Sequence, residues 1–240
     1  MIPLRDHLPT RRFAFVNYAL ITANVLSYVL ELQAYTQGVQ PQALQDTWGL
    51  VPARLFSNPM MGIETVFTSM FMHGSIAHIA GNMLFLWIFG DNVEDALGHL
   101  RYLLFYFVGG VGAAMAQVLA DPTSSIPMVG ASGAISAVLA AYVLLYPNSS
   151  ITVLNPIFIL WLFFGLTLMF PAWLVIGLFF IANLWDALVN HAQGGVAFMA
   201  HVGGFVTGAV LLRTFMSDRD RLDDYSRWRE WARRRQGRMG

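Results

Sequence analysis

Several stretches of this 240-residue chain run apolar for close to, or beyond, the roughly 20 residues that a helix needs to cross a bilayer. That feature decides the class. Hydrophobic residues make up 56% of the sequence and charged residues only 12%, whereas an ordinary globular domain is about a quarter charged. A soluble fold of this length could not bury so much apolar surface, so the chain reads as an all-α, polytopic membrane protein. Cysteine is absent, which excludes disulfides and thiolate metal centres. The first apolar run begins near Phe13 without a small-residue cleavage site, and reads as a spanning helix rather than a cleavable signal peptide.

The zero net charge hides an uneven distribution. Every basic residue is arginine. Arg5, Arg11 and Arg12 precede the first apolar run, and only Arg54 and Arg101 lie between it and the cluster from Arg213 to Arg238. The positive-inside rule then puts both termini in the cytoplasm and requires an even number of spans. The expected division is a cytoplasmic segment over 1–12, a membrane domain over 13–214 and an arginine-rich cytoplasmic tail over 215–240 that touches anionic headgroups. Spans are expected near 13–33, 74–92, 100–119, 130–147, 170–189 and 197–214. A long connection over 33–67 carries Pro41, Trp48, Pro52 and Pro59, and a loop of that length is more often functional or membrane-associated than a plain linker. Residues 151–166 are expected to be interfacial, and Pro171 is expected in the first turn of the fifth span.

This topology is also a statement about depth. With the N-terminus inside, the second, fourth and sixth spans all begin at the outer face. His78 and Asn82 lie in the first turns of the second, Ser132 opens the fourth, and His201 lies in the first turns of the sixth. Polar and ionisable groups inside a membrane segment are expensive and by default suggest function. A lone serine in an apolar helix commonly bonds back to a carbonyl, and a lone histidine can be structural. Here Gly130 and Gly133 flank Ser132, permit close backbone approach and leave free N–H groups at a helix start. Gly204 and Gly208 form a G-x-x-x-G face beyond His201. If its partner is the fourth span, His201 comes within reach of Ser132, the arrangement that activates a weak hydroxyl nucleophile. His78 and Asn82, four apart, share a helix face as candidate donors to developing negative charge. His73, His78 and His201 raise the competing possibility of a metal site, but no H-E-x-x-H occurs and no carboxylate lies between His73 and His78. Glu94 and Asp95 close the second span at its far end and read as a turn or ion pair. Asp186 reads as a polar helix-end residue.

Taken together, His73-Gly74-Ser75-Ile76-Ala77-His78-Ile79-Ala80-Gly81-Asn82, Gly130-Ala131-Ser132-Gly133 and Ala200-His201-Val202-Gly203-Gly204 resemble the rhomboid family of intramembrane serine proteases. The resemblance runs from about Trp48 to Leu212. It implies a six-helix bundle with a long outer loop between helices 1 and 2, and a serine–histidine dyad without cofactor or metal. It assigns Ser132 as nucleophile and His201 as base, and gives the oxyanion site to His78, Asn82 and the Ser132 N–H. His73 looks supporting, while Glu94 and Gly98 match a structural turn. The implied partners are transmembrane protein substrates and the lipid bilayer, not nucleic acid. From the short, simple chain, the expected location is a bacterial-type plasma membrane. Two departures stand out. Glu64-Thr65 occupies the place where many members carry Trp-Arg. Ser136 stands where some members pack a tyrosine on the imidazole, so another side chain must hold the ring. A non-catalytic relative that binds or routes membrane proteins is the alternative, and a small transporter is a third; a transporter would carry polar residues along the full depth of a helix.

Overall fold

The computed structural model describes residues 2–155, 165–189 and 198–216, together with Ser226 and Glu230. The first apolar run forms α1 (Phe15–Thr36). The long connection after it folds into α2 (Pro41–Trp48), α3 (Pro52–Ser57) and α4 (Pro59–Thr68). Each opens with its proline, whose fixed φ suits the first helical position and whose missing N–H had no helical acceptor to lose. A 3-10 turn (Ser69–Phe71) leads to α5 (Ile76–Phe85), a wide π-helical turn (Leu86–Gly90) and α6 (Asp91–Leu97). Then come α7 (His99–Ala120), α8 (Ser132–Leu145), α9 (Ala172–Val189) and α10 (Phe198–Phe215).

Helices α1, α7 and α10 are each long and apolar enough to cross a membrane. Pro59–Phe71 and Ile76–Leu97, bent by 80° at their junction, make a fourth crossing if taken as one span. Leu26, Leu30, Leu104, Leu119, Trp185 and Val210 point outward, a surface suited to lipid. The chain is an integral membrane protein built mainly of helices.

The all-α expectation needs one correction. β1 (Pro3–Asp6), β2 (Ser150–Leu154) and β3 (Thr167–Pro171) form an antiparallel sheet in the order β1-β2-β3. The segment expected as a cytoplasmic N-terminal extension supplies one strand, and the start of the segment expected to be interfacial supplies most of β2. β3 lies just beyond that segment and runs into the expected start of the fifth span, so Pro171 closes a strand and the helix begins at Ala172, not with the proline in its first turn. Residues 156–164, between β2 and β3, lie outside the described residues, as do 190–197 and most of the tail. The strands form because Ile151 and Val153 alternate inward to full burial, the period of a half-buried strand. On one side β2 pairs with its near neighbour β3, but its other partner, β1, lies about 145 to 150 residues away in sequence, where no local pattern reveals it.

Helix α8 is the centre. Its residues from Gly133 to Tyr142 are all buried, as expected of a helix apolar all round. Small residues let its neighbours approach. A Cβ at Gly204 would collide with the Gly133 carbonyl, and one at Gly208 with the backbone of Ala137. The G-x-x-x-G face of α10 therefore packs on α8. Gly112 meets Thr207, and Gly203 meets Ala116, so α7 closes the third side.

At the end of the bundle that carries the sheet, polar groups are knitted together. Glu94 accepts the N–H groups of Val16 at 2.9 Å and Asn17 at 2.7 Å, capping α1. Asn17 donates to the Leu86 carbonyl at 2.9 Å, and its own oxygen accepts from Tyr102 at 2.9 Å. Arg11 pairs with Asp95 at 3.0 Å. Asp6 accepts from Asn92 at 2.8 Å and Tyr142 at 2.9 Å. Gly98 joins α6 to α7 at φ +83°, which side chains disfavour. Glu94, Asp95 and Gly98 thus play the structural parts expected of them.

Candidate active site

The site is assembled at the opposite end, where α5, α8 and α10 begin. Ser132 is the first residue of α8, so its N–H has no acceptor within the helix. His201 lies in the first turn of α10. The helix contact at Gly204 and Gly133 brings them together, with His201 Nε2 2.7 Å from Ser132 Oγ. When Nε2 accepts that bond, the imidazole carries its hydrogen on Nδ1.

Helix α5 starts at a Ser75 cap whose hydroxyl accepts the His78 N–H at 3.1 Å. This places His78 and Asn82 on the face turned toward Gly130. Gly130 has φ +123°, and a Cβ there would sit 2.7 Å from His78 Nε2 and 3.6 Å from Asn82 Nδ2. Glycine is needed twice over, for backbone conformation and for space. The loop ahead of Ser132 is fixed from the long connection: Leu50 and Met128 exchange both backbone bonds, at 3.0 and 2.8 Å, and the Gly130 N–H donates to the Ser69 carbonyl at 2.8 Å. Secured by these bonds, the connection holds the loop that carries the serine. At the Glu64-Thr65 departure, Thr65 is buried and donates to the Gly62 carbonyl at 2.9 Å, while Glu64 faces outward.

A cavity of about 520 Å3 is lined by His78, Asn82, Gly130, Ser132, Gly133 and His201, with Met70, Phe85 and Phe179 among its apolar walls. A second cavity of about 400 Å3 shares Gly74, His78 and Val129 and adds Gln42, Gln45 and Ser125. His73 stands behind this wall. Its Nε2 is 3.0 Å from Asn82 Nδ2 and its Nδ1 3.3 Å from the Phe71 carbonyl, so both ring nitrogens are engaged away from His201. Among the described residues no group of three His, Cys, Asp or Glu side chains could hold a metal ion.

Five contacts were not foreseen from the sequence. The Phe179 ring lies 6.4 Å from the His201 ring and tilted by 39°, with Phe198 edge-on at 6.5 Å. These supply the ring support that Ser136 cannot, while Ser136 donates instead to the Ser132 carbonyl at 2.8 Å. Gln117 accepts the Ala200 N–H at 3.2 Å, tying α7 to the residue before His201. Glu31 of α1 accepts the His73 N–H at 3.1 Å. An ionisable residue inside an otherwise apolar helix was the available signal for that one.

The fold and site together define an integral membrane protein whose polar centre lies inside its helical bundle, beside a cavity. More specifically, the chain belongs to the rhomboid family: residues 62–218 match the rhomboid domain. It is 30% identical over 161 residues to rhomboid protease AarA of Providencia stuartii, covering 60% of this chain and 52% of that protein. It is 26% identical over 166 residues to the mitochondrial RHOMBOID-like protein 12 of Arabidopsis thaliana, covering 62% and 45%. Over 74 residues it is 41% identical to rhomboid protease GluP of Bacillus subtilis (strain 168), covering 31% and 14%. The chain spans about half the length of the first two of these curated relatives.

Proposed function

We propose that this protein is an intramembrane serine endopeptidase that cleaves the transmembrane segments of other membrane proteins. The observation that carries the reading is the 2.7 Å contact between Ser132 Oγ and His201 Nε2, on the wall of a cavity that also holds His78 and Asn82. The relatives named rhomboid proteases support it. All six apolar helices are taken as spans, with both termini in the cytoplasm of a bacterial-type cell and the membrane domain bounded near 13–214.

Depth follows from length. The 14 residues of α8 rise about 21 Å, against a hydrocarbon core of about 30 Å. With its far end at the inner boundary, Ser132 lies about 9 Å below the outer one. The cavity that includes Gln42, Gln45 and Ser125 offers water a polar way in.

A substrate segment enters from the bilayer and unwinds near its outer end. Ser132 Oγ attacks the scissile carbonyl carbon as its proton passes to His201 Nε2. The carbonyl oxygen becomes an oxyanion held by the Ser132 N–H, His78 and Asn82. The C–N bond breaks as His201 returns the proton to the leaving amine, leaving an ester on Ser132. Water then loses a proton to His201, attacks the ester and restores the serine. Gly130 and Gly133 keep the approach open, Gly204 and Gly208 hold α10 against α8, and His73 supports Asn82.

The deciding experiment is cleavage of a single-span test substrate by purified protein in lipid or detergent. Ser132→Ala and His201→Ala should each reduce it to background. Undiminished cleavage by Ser132→Ala, or inhibition by chelators alone, would refute the dyad. A cellular function that survives Ser132→Ala would favour a non-catalytic binding or routing role.

A further inference from the structure

Glu31 is 4% exposed in a helix that the proposed reaction does not otherwise use. It lies near the end of α1 that faces the site. Its carboxylate takes the backbone N–H of His73, with Oε1 at 3.1 Å and Oε2 at 3.4 Å, and Tyr35 donates to Oε2 at 3.4 Å. The acceptor matters because His73 sits in the extended stretch between the 3-10 turn and the Ser75 cap, where no helical carbonyl is available to it. A buried N–H without an acceptor is strongly disfavoured.

From His73 the connection continues through the ring. The Phe71 carbonyl can only accept, so the Nδ1 beside it carries the hydrogen. Nε2 is then a bare acceptor, and Asn82 must turn its amide nitrogen, not its oxygen, toward it at 3.0 Å. One amide hydrogen of Asn82 is spent on His73. The other belongs to a nitrogen on the cavity wall, on the side where Gly130 leaves its space. If the His73 backbone shifts, the ring loses its hold on Phe71, the tautomer is no longer selected, and Asn82 can present its oxygen where a donor is required.

We propose that Glu31 is a positioning residue that holds Asn82 in its donor orientation through His73. This rests on the reading of Asn82 as an oxyanion donor. Glu31 also borders an apolar cavity of about 360 Å3 with Leu30, Ala34, Leu44, Trp48 and Phe71, so an isosteric replacement has room. The fixed requirement is a well-placed acceptor oxygen, not a negative charge.

The test uses the full chain in detergent or liposomes, with kcat and KM for a single-span substrate and the unfolding transition of each variant. Glu31→Gln keeps an acceptor oxygen and should stay within about threefold of wild type, because the N–H keeps its partner. Glu31→Leu should lower kcat by about 10- to 100-fold at little-changed KM, as expected when a catalytic group is misplaced by an ångström or less. Combining Glu31→Leu with Asn82→Ala should cost no more than Asn82→Ala alone, since both act on one donor. If Glu31→Leu does not fold, Glu31→Asp, one methylene short, should show a several-fold kcat loss at unchanged KM. Wild-type kcat in the folded variant, or losses that multiply with Asn82→Ala, overturns the proposal. The two levels separate cleanly: cleavage by Ser132→Ala removes the protease reading and this inference with it, whereas an inactive Ser132→Ala beside a fully active Glu31→Leu removes only this inference.

Discussion

The two ends of the helical bundle are both polar, and they differ in where their polar groups point. At the sheet end, Glu94, Asn17, Tyr102, Asp6 and Asn92 spend their donors and acceptors on one another and on helix ends. At the other end, Ser132, His201, His78 and Asn82 all reach a cavity wall. Polar groups cost the same to bury at either end. Partners supplied from within the protein make the first set a fastening. Groups that face open space make the second set available for chemistry.

Mutations should separate the two ends by what they change. The largest effect is expected at the dyad: Ser132→Ala and His201→Ala each lower kcat roughly a million-fold, to background, with the unfolding transition nearly unmoved. Removing a donor by Asn82→Ala or His78→Ala should lower kcat by about 100- to 1,000-fold, measured as initial rates on the same substrate. At the sheet end the pattern reverses. Glu94→Ala leaves two helix-end N–H groups without their acceptor and should cost about 2–5 kcal/mol of stability in denaturant titrations, with kcat per folded molecule retained. A loss of kcat without a loss of stability there would break the contrast.

The smallest effect sharpens it through pH. Burial first, and then the Asp91 charge, push the Asp6 carboxyl from 3.8 up to about 7, against the opposing effects of its Tyr142 hydrogen bond and Arg5. The raised value means that the folded state favours the protonated form. Its contribution is therefore complete below about pH 4 and is lost as pH rises through about 7. Asp6→Asn, which stays neutral and can still accept from Tyr142, should flatten the decline in stability over that window. The check is unfolding midpoints at pH 5 and pH 8, with the pH dependence of cleavage unchanged.

Much of this was legible in the sequence because a membrane simplifies the code. Apolar runs marked the long helices to within a few residues, and polar residues at their starts marked the site, since each had to be there at a cost. The G-x-x-x-G at Gly204 and Gly208 marked a close helix contact, and the partner considered for it, the fourth span, is the helix on which it packs. What was not legible came from distant chain. The sheet needs β1 and β2 to meet across the whole of the first four apolar helices. The aromatic cover of His201 comes from Phe179 on another helix, although Ser136 had already shown that some side chain must provide it. Glu31 was visible as a charge in an apolar run, but its task depends on the extended backbone at His73, which only the fold reveals.

The wide turn at Leu86–Gly90 sits between the two ends and sets their relative phase. A π-helical turn carries one residue more than the α-helix around it, and each residue of an α-helix turns its side chain by about 100°. His78 and Asn82 lie before this turn, with Glu94 and Asp95 after it. Taking one residue out of Leu86–Gly90 would leave Glu94 on α1 only by swinging His78 and Asn82 about a quarter-turn off the cavity. The extra residue thus works like the offset between two gears on one shaft, letting a single helix mesh with α1 at one end and with Ser132 at the other.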